Sequence, residues 1–208
     1  MTRRLVILTM LSVLLIGGVA CWLSLPTEPV YNGKKLTDWI YCSKTVRYSH
    51  NPDGLWFTRR DEEADSAIRA VGTNMFPVIL RMLATTDGKF KTRIISFVNG
   101  QSIVKYHLHS ADEKADAAAS AISVLGEPAK LLAPSIFQLG TDSNAKVRVH
   151  ALRAIESLIY PDREWARSQH ALDHLVSSSF FQDPDAQVRR AAFLSFSLLH
   201  PPTIEQCF

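Results

Sequence analysis

One seven-residue pattern near the C-terminus limits the possible folds more than any other feature of the chain. It occurs as Asp142-Ser-Asn-Ala-Lys-Val-Arg148 and again, further along the chain, as Asp183-Pro-Asp-Ala-Gln-Val-Arg189. Each copy opens a stretch with apolar residues at helical spacing. In each copy an acidic turn leads into a helix, and the copies begin at positions 142 and 183. Such a spacing is typical of the units of a stacked helical repeat.

Small and apolar residues extend the pattern upstream, so that four predicted first helices share the same inward positions. Gly72 and Gly126 end two of these helices, where a left-handed residue is favoured. Pro77 and Pro134 then stand near the start of the second helices, where no N–H is needed. The inward positions of the four first helices are Ala64, Ala67, Ile68 and Val71; Ala118, Ala121, Ile122 and Leu125; Ala151, Ala154, Ile155 and Leu158; and Ala192, Ser195, Phe196 and Leu199.

These positions predict an all-α chain, an α-α superhelix that occupies residues 61–208. Its units lie near residues 61–85, 112–140, 143–181 and 184–200, and the third unit's second helix covers about 165–181. The interval between the first two units is the longest. An extra helix at 89–104, with Phe90, Ile94, Phe97 and Val98 as its apolar face, accounts for that interval.

Residues 27–60 are interpreted as a linker with a short capping helix. Thr37 is a plausible N-cap for that helix, and Leu36, Trp39 and Ile40 would dock on the repeats. The following segment, residues 48–58, contains Asn-Pro-Asp-Gly and is predicted to be a loop.

The N-terminus contains a long apolar segment. Residues 5–25 carry no charge and are preceded by Arg3 and Arg4. A helix of that length measures about 30 Å, which matches the hydrocarbon core of a bilayer. We therefore expect residues 1–26 to be a single-pass signal anchor in the inner (cytoplasmic) membrane, with the repeat body outside the cytoplasm. Two alternatives remain open: cleavage of the segment, which gives a secreted protein, and a lipoprotein signal with lipidated Cys21.

Composition and charge argue against several classes of protein. The 208-residue chain has 47% apolar residues, enough for a sizeable core, and a net charge of +3. Acidic and basic residues alternate along it, so we expect no nucleic-acid partner. Cys21, Cys42 and Cys207 have the spacing of neither a disulfide framework nor a metal site. We predict no cofactor and no small-molecule substrate.

The repeated units resemble HEAT repeats of the armadillo-type superhelix. The D-x-x-A-x-V-R element is the most specific part and covers residues 142–199, whereas the units that start near Ala64 and Ala115 match only by their Ala, Ile, Leu, Gly and Pro positions. The whole arrangement is also similar to bacterial, mostly uncharacterised HEAT-repeat proteins with an N-terminal signal or anchor. Those proteins share the elements G-K-x-L-x-x-W and A-I-x-A-x-G-T-N, found here as Gly33, Lys34, Leu36 and Trp39, and as Ala67, Ile68, Ala70, Gly72, Thr73 and Asn74. The resemblance implies a protein-binding fold without catalytic residues.

The arginines of the repeated pattern allow two interpretations. Arg148 and Arg189 could line a groove for an acidic partner. Alternatively, each could reach a turn acid of its own or the next unit, Asp142 or Asp183. We expect this second arrangement, a structural ladder that sets how the units stack.

Two histidine pairs have the spacing of metal ligands or helix caps. His170 and His174 project from one helical face, but the sequence places no further ligands around them, so we expect no metal there. His107 and His109 stand at the end of the predicted extra helix, where cations suit the helix dipole, and we expect no further role for them. The chain also has no nucleophile-elbow serine and no phosphate-binding glycine loop, and we predict no enzyme activity.

The leading hypothesis is therefore a membrane-anchored, non-catalytic scaffold that binds another protein through a concave face lined by the second helices. Arg81, Gln138 and His174 are the candidate partner-binding residues, because they are polar and lie on predicted second helices. Two alternatives remain open: an accessory or regulatory subunit of an envelope enzyme, and a lyase-type enzyme built from HEAT-like repeats.

Overall fold

The computed structural model describes residues 13, 28–44, 47–50, 56–59, 61–101, 107–159 and 180–199. The chain divides into two compact units, Met1–Val30 and Tyr31–Phe208, and nearly all described residues belong to the second. The predicted anchor at residues 5–25 lies outside the described residues, apart from Val13. Among the residues that are described, none of the helices has the length and apolar character needed to cross a membrane.

The described part of the chain is mostly helical, which confirms the predicted all-α class. Short 3-10 turns lie at Gly72–Met75, Glu127–Leu132 and Phe180–Gln182. The α-helices are α1 (Leu36–Lys44), α2 (Glu62–Val71), α3 (Phe76–Leu83), α4 (Lys89–Asn99), α5 (Ala111–Leu125), α6 (Ala133–Leu139), α7 (Ala145–Ile159) and α8 (Ala186–Leu199).

Two short ribbons interrupt the helices. Strand β1 (Val30–Tyr31) pairs with β2 (Lys34–Lys35), and β3 (Arg47–His50) pairs antiparallel with β4 (Trp56–Arg59). The prediction of a loop over residues 48–58 is therefore wrong for residues 48–50 and 56–58, which are strand, whereas residues 51–55 lie outside the described residues. The two strands of this second ribbon contain Tyr, Trp, Phe and Thr, residue types that favour strands, and the Asn-Pro-Asp-Gly sequence lies between them.

Helix α1 docks on the other helices as predicted. Leu36 and Trp39 are 2% exposed and Ile40 is fully buried, and the helix contacts α2 and α5. The Trp39 indole N–H donates a hydrogen bond to the carbonyl oxygen of Tyr31 at 2.8 Å. Thr37 is not the N-cap, because the helix begins at Leu36, directly after β2, and Thr37 therefore lies inside its first turn.

The core runs through the inward positions of α2, α5, α7 and α8. The predicted residues of α5 and α7 are all buried, as are Ala64, Ala67 and Ile68 of α2. In α8, Ala192 and Ser195 are buried and Phe196 is half-buried. Helix α2 contacts α5, α5 contacts α7, and α7 contacts α8. Small residues at these positions allow such close approach between helices.

Gly72 and Gly126 end their helices in the same conformation. Their φ and ψ angles are 58° and −130°, and 63° and −125°. Each donates its N–H to the carbonyl of the isoleucine four residues earlier, Ile68 or Ile122. A positive φ is easily adopted only by glycine, as the sequence predicted. In both places a 3-10 turn follows, and then a helix with proline in its first turn.

The extra helix is present as α4, but it ends at Asn99 rather than at residue 104. The Asn99 side chain turns toward the backbone of Leu108, to which it makes two hydrogen bonds, and the next residue, Gly100, has left the helix. The predicted helix at 165–181 falls outside the described residues except for Phe180 and Phe181, which belong to a 3-10 turn.

Candidate functional site

The residues predicted to form a ladder make one strong contact between the two copies of the Asp-to-Arg pattern. Arg148 on α7 donates from Nε and Nη2 to the two carboxylate oxygens of Asp183, at 2.7 and 2.8 Å. The same side chain donates from Nη1 to the carbonyl oxygens of Asp142 and Ser143. The Arg148 side chain is 13% exposed and that of Asp183 is 9% exposed, so this is a nearly buried bidentate ion pair. The Arg148 guanidinium holds the pKa of Asp183 below its ordinary value of 3.8.

The two turns repeat each other in detail. Asp142 accepts the N–H of Asn144, and Asp183 accepts the N–H of Asp185, which is the equivalent residue of the second copy. Arg189 donates from Nη1 to the carbonyls of its own turn, as Arg148 does. Within the described residues, however, only Arg148 has the bidentate carboxylate. Both arginines therefore hydrogen-bond to the backbone of their own turns.

A buried histidine joins three helices, a contact that sequence reasoning missed. His150 of α7 is fully buried, and its Nδ1 lies 3.0 Å from the carbonyl oxygen of Leu83 at the end of α3. Its Nε2 lies 3.0 Å from Oδ1 of Asp112 in α5. The hydrogen bond with His150 lowers the pKa of Asp112. The only available signal was a histidine in an apolar helical run, which does not reveal its partners.

Helix α4 presents an exposed apolar face. Phe90 is 77% exposed, Phe97 is 70% exposed and Ile94 is 41% exposed. These residues stand at positions i, i+7 and i+4, so they share one side of the helix. Phe193 and Leu194 of α8 are also exposed, but adjacent residues point in different directions around a helix. The α4 face is therefore the candidate interaction surface.

Two of the three residues predicted to bind a partner lie within the described structure. Arg81 is exposed near the end of α3, and Gln138 is exposed near the end of α6. His174 lies outside the described residues, as does its neighbour His170. Burial is the main cause that lowers the pKa of Lys114 in α5, and the charge of Arg81 lies close enough to lower it further.

The interpretation of His107 and His109 as residues at a helix C-terminus is wrong. Because α4 ends early, both residues precede the N-terminus of α5, which begins after Ser110. A cation is disfavoured at that end of a helix. Both rings instead lie close to the carboxylate of Glu113. Within the described structure, these two imidazoles and one carboxylate are a group whose ligand atoms lie close enough together to hold a metal ion.

Comparison of the chain with protein-family models, curated proteins and solved structures found no match.

Proposed function

We propose that this chain is a non-catalytic protein-interaction module that binds its partner through the exposed face of α4. The observation that carries the proposal is the exposure of Phe90, Ile94 and Phe97 on one side of that helix. Apolar anchors at i, i+4 and i+7 are the spacing with which a helix enters an apolar groove of another protein. Aromatic anchors of this kind supply much of the binding free energy in protein interfaces.

Helix α4 is held in place at both ends, so its exposed apolar face has a fixed position before a partner binds. At its start, Lys91 lies 2.6 Å from the carboxylate of Asp87, and Asp87 also accepts the backbone N–H of Ala111 at the start of α5. At its end, Asn99 accepts the N–H of Leu108 at 2.8 Å and donates to its carbonyl at 3.0 Å. A helix fixed before binding loses less conformational entropy when a partner docks on it.

Charge indicates the chemistry of the partner. Helix α4 contains Lys89, Lys91 and Arg93 and no acidic residue. Arg81 and Lys114 lie nearby, since burial and the charges of Lys91 and Arg81 lower the pKa of Lys114. The charge of Asp87, which pairs with Lys91, acts in the opposite direction. A groove with an apolar floor and an acidic rim would complement this face. We therefore assign the occupant as a protein with such a groove.

We propose that the body belongs to the HEAT type of α-α superhelix. Three features support this assignment: the same glycine conformation at positions 72 and 126, the same turn hydrogen bonds in the two Asp-to-Arg patterns, and contacts between successive first helices. In a solenoid, successive units have the same local structure and each contacts its neighbours, which is the pattern of these three features.

We also propose that residues 5–25 anchor the chain in the inner membrane, with the body outside the cytoplasm. The uncharged segment behind Arg3 and Arg4 supports this topology. The chain is expected to stay in the membrane pellet after an alkaline carbonate wash. A reporter enzyme that works only outside the cytoplasm should be active when fused to the C-terminus. Release by carbonate, or activity of a cytoplasm-specific reporter alone, would contradict the topology.

The interaction surface is tested by the double variant Phe90→Ser, Phe97→Ser. A stoichiometric partner is first isolated from detergent extract, and its affinity for the purified full-length chain is then measured. We expect the double variant to weaken binding by at least about 30-fold, which corresponds to the loss of about 2 kcal/mol that one buried aromatic anchor contributes. Its unfolding midpoint should not change, since both side chains are exposed.

Leu131→Ser is the matched control, because Leu131 is 71% exposed on a different element. It should bind the partner with wild-type affinity. Equal affinity of the double variant and the wild type would refute the proposal. A second result would also refute it: the wild-type chain binds vesicles of anionic lipid in the absence of any protein partner, and this binding requires Phe90 and Phe97.

A further inference from the structure

Three side chains at the start of α5 converge with the donor atoms of a metal site. One ligand atom from each of His107, His109 and Glu113 lies within 4.8 Å of the other two. Nε2 of His107 is 3.2 Å from Oε1 of Glu113 and 3.3 Å from Oε2. Nδ1 of His109 is 3.6 Å from Oε2 of the same carboxylate. The three groups therefore face a common point.

Neighbouring contacts fix two of these side chains and the backbone between the histidines. The ring of Tyr41 stacks on that of His109, with centroids 3.8 Å apart and planes 12° apart. Glu113 belongs to a capping box, in which its Oε2 accepts the N–H of Ser110 at 2.9 Å. The two hydrogen bonds from Asn99 hold the backbone of Leu108, which separates the histidines. These contacts therefore restrict the positions of the His109 ring, the Glu113 carboxylate and the backbone of Leu108.

The donor set has the chemistry of a transition-metal site with open positions. Two imidazole nitrogens and one carboxylate oxygen are the protein ligands of one known class of zinc site, in which water takes the remaining position. Zinc binds such atoms at about 2.0–2.2 Å in tetrahedral geometry, which places them roughly 3.3–3.5 Å apart. The Glu113 contacts already have nearly this spacing. His107, whose side chain is 54% exposed, can rotate to shorten the longest separation.

We propose that His107, His109 and Glu113 bind a divalent transition-metal ion, Zn²⁺ or a cation of similar preference, through three protein ligands and water. The site shares no ligand with the partner-binding face of α4, and its ligands come from the α4–α5 connection and from α5.

The charges around the site agree with this assignment and limit its affinity. Burial is the main cause that lowers the pKa of His109. Burial alone would raise the pKa of Glu113, but hydrogen bonds from Ser110 and His107 outweigh it and keep that pKa below its ordinary value, so the carboxylate is charged. Lys114 also faces His109 and repels a cation. With three ligands and a nearby lysine, binding should be weaker than at a four-ligand structural zinc site.

The test is a titration of the full-length chain, purified in detergent and freed of metal with a chelator, with Zn²⁺ followed by calorimetry. We expect one saturable equivalent, with affinity that falls as the pH drops and the histidines become protonated. His107→Ala, His109→Ala and Glu113→Gln should each weaken binding by at least about tenfold, the smallest loss typical even of residues that only support metal ligands. Glu113→Gln is informative because glutamine can keep the capping box while removing the charged ligand.

The matched control is the double variant His170→Ala, His174→Ala, which removes the other closely spaced histidine pair and should bind Zn²⁺ as the wild type does. The metal-free unfolding midpoints of Glu113→Gln and the wild type should agree closely, which separates loss of a ligand from loss of fold. The proposal is overturned if the wild type shows no saturable binding, if Glu113→Gln binds normally, or if only the control loses the metal.

Discussion

Replacing Arg148 with Ala is expected to lower the free energy of unfolding by about 3 kcal/mol. The change removes a bidentate pair and leaves the Asp183 carboxylate, 9% exposed, without its cation. Breaking a buried pair on one side costs about 3–5 kcal/mol, and the residual exposure of both groups places this pair at the lower end. Two hydrogen bonds to the carbonyls of Asp142 and Ser143 disappear as well. Urea denaturation followed by circular dichroism measures the difference.

Arg189→Ala is the matched control, because the two arginines occupy equivalent positions in the two copies of the repeated pattern. Arg189 makes the same two contacts with turn carbonyls but has no bidentate acid within the described part of the chain. Replacing Arg189 should lower the free energy of unfolding by only about 1 kcal/mol. A stable Arg148→Ala protein that has lost only partner binding would show that this arginine belongs to a binding groove instead.

The ion pair also predicts a dependence on pH. Because the pKa of Asp183 is lowered in the folded chain, the pair's contribution is fully present above the ordinary, unfolded pKa of 3.8. It is lost as the pH falls through the lower folded value. The difference in unfolding free energy between the wild type and Arg148→Ala should therefore persist from pH 7 to 5. It should shrink once the pH falls below about 4.

His150→Leu is expected to destabilise the chain by about 2–3 kcal/mol, although leucine has a suitable size and polarity for a core. The substitution leaves the carbonyl of Leu83, at the C-terminal end of α3, without the hydrogen bond from the ring. Carbonyls at helix ends have no partner within the helix, and an unsatisfied buried one costs about 1–3 kcal/mol. The contact with Asp112 is lost too. Thermal or urea unfolding measures the effect.

Asp112→Asn separates these two contributions. The Asp112 side chain is 56% exposed, so water screens its interaction with His150, and its replacement should cost less than about 1 kcal/mol. The informative result is which of the two variants, Asp112→Asn or His150→Leu, loses more unfolding free energy. If Asp112→Asn were as damaging as His150→Leu, the contact with Asp112 rather than the hydrogen bond to the Leu83 carbonyl would be the main role of this histidine.

The sequence predicted those parts of the fold that depend on local periodicity. Ala151, Ala154 and Ile155 recur at helical spacing because one face of α7 must be buried, and Gly126 stands where only glycine takes a positive φ easily. The contact between Arg148 and Asp183 was foreseeable because the same turn sequence occurs twice, so the second copy offers an acid to the arginine of the first. These inferences need only the repeat.

Long-range contacts and exact helix ends could not be obtained in the same way. The partners of His150 lie 67 and 38 residues away, and no spacing encodes them. Helix α4 ends at Asn99, whose side chain bonds to the distant backbone of Leu108. Because the sequence placed this end at residue 104, His107 and His109 were predicted at the C-terminus of α4, whereas they precede the N-terminus of α5. An amphipathic pattern in α4 also cannot show whether its apolar face is covered, because that depends on which elements pack around it.

The most direct test of the proposed function is site-specific photo-cross-linking in living cells. A photoreactive phenylalanine analogue is placed at position 97, where the native Phe97 is 70% exposed, and in a parallel strain at position 131, where Leu131 is 71% exposed. We predict one discrete adduct of the chain with a second protein from position 97, and none from position 131. The same adducts from both positions, or none from position 97, would contradict the assignment of α4 as the partner-binding surface.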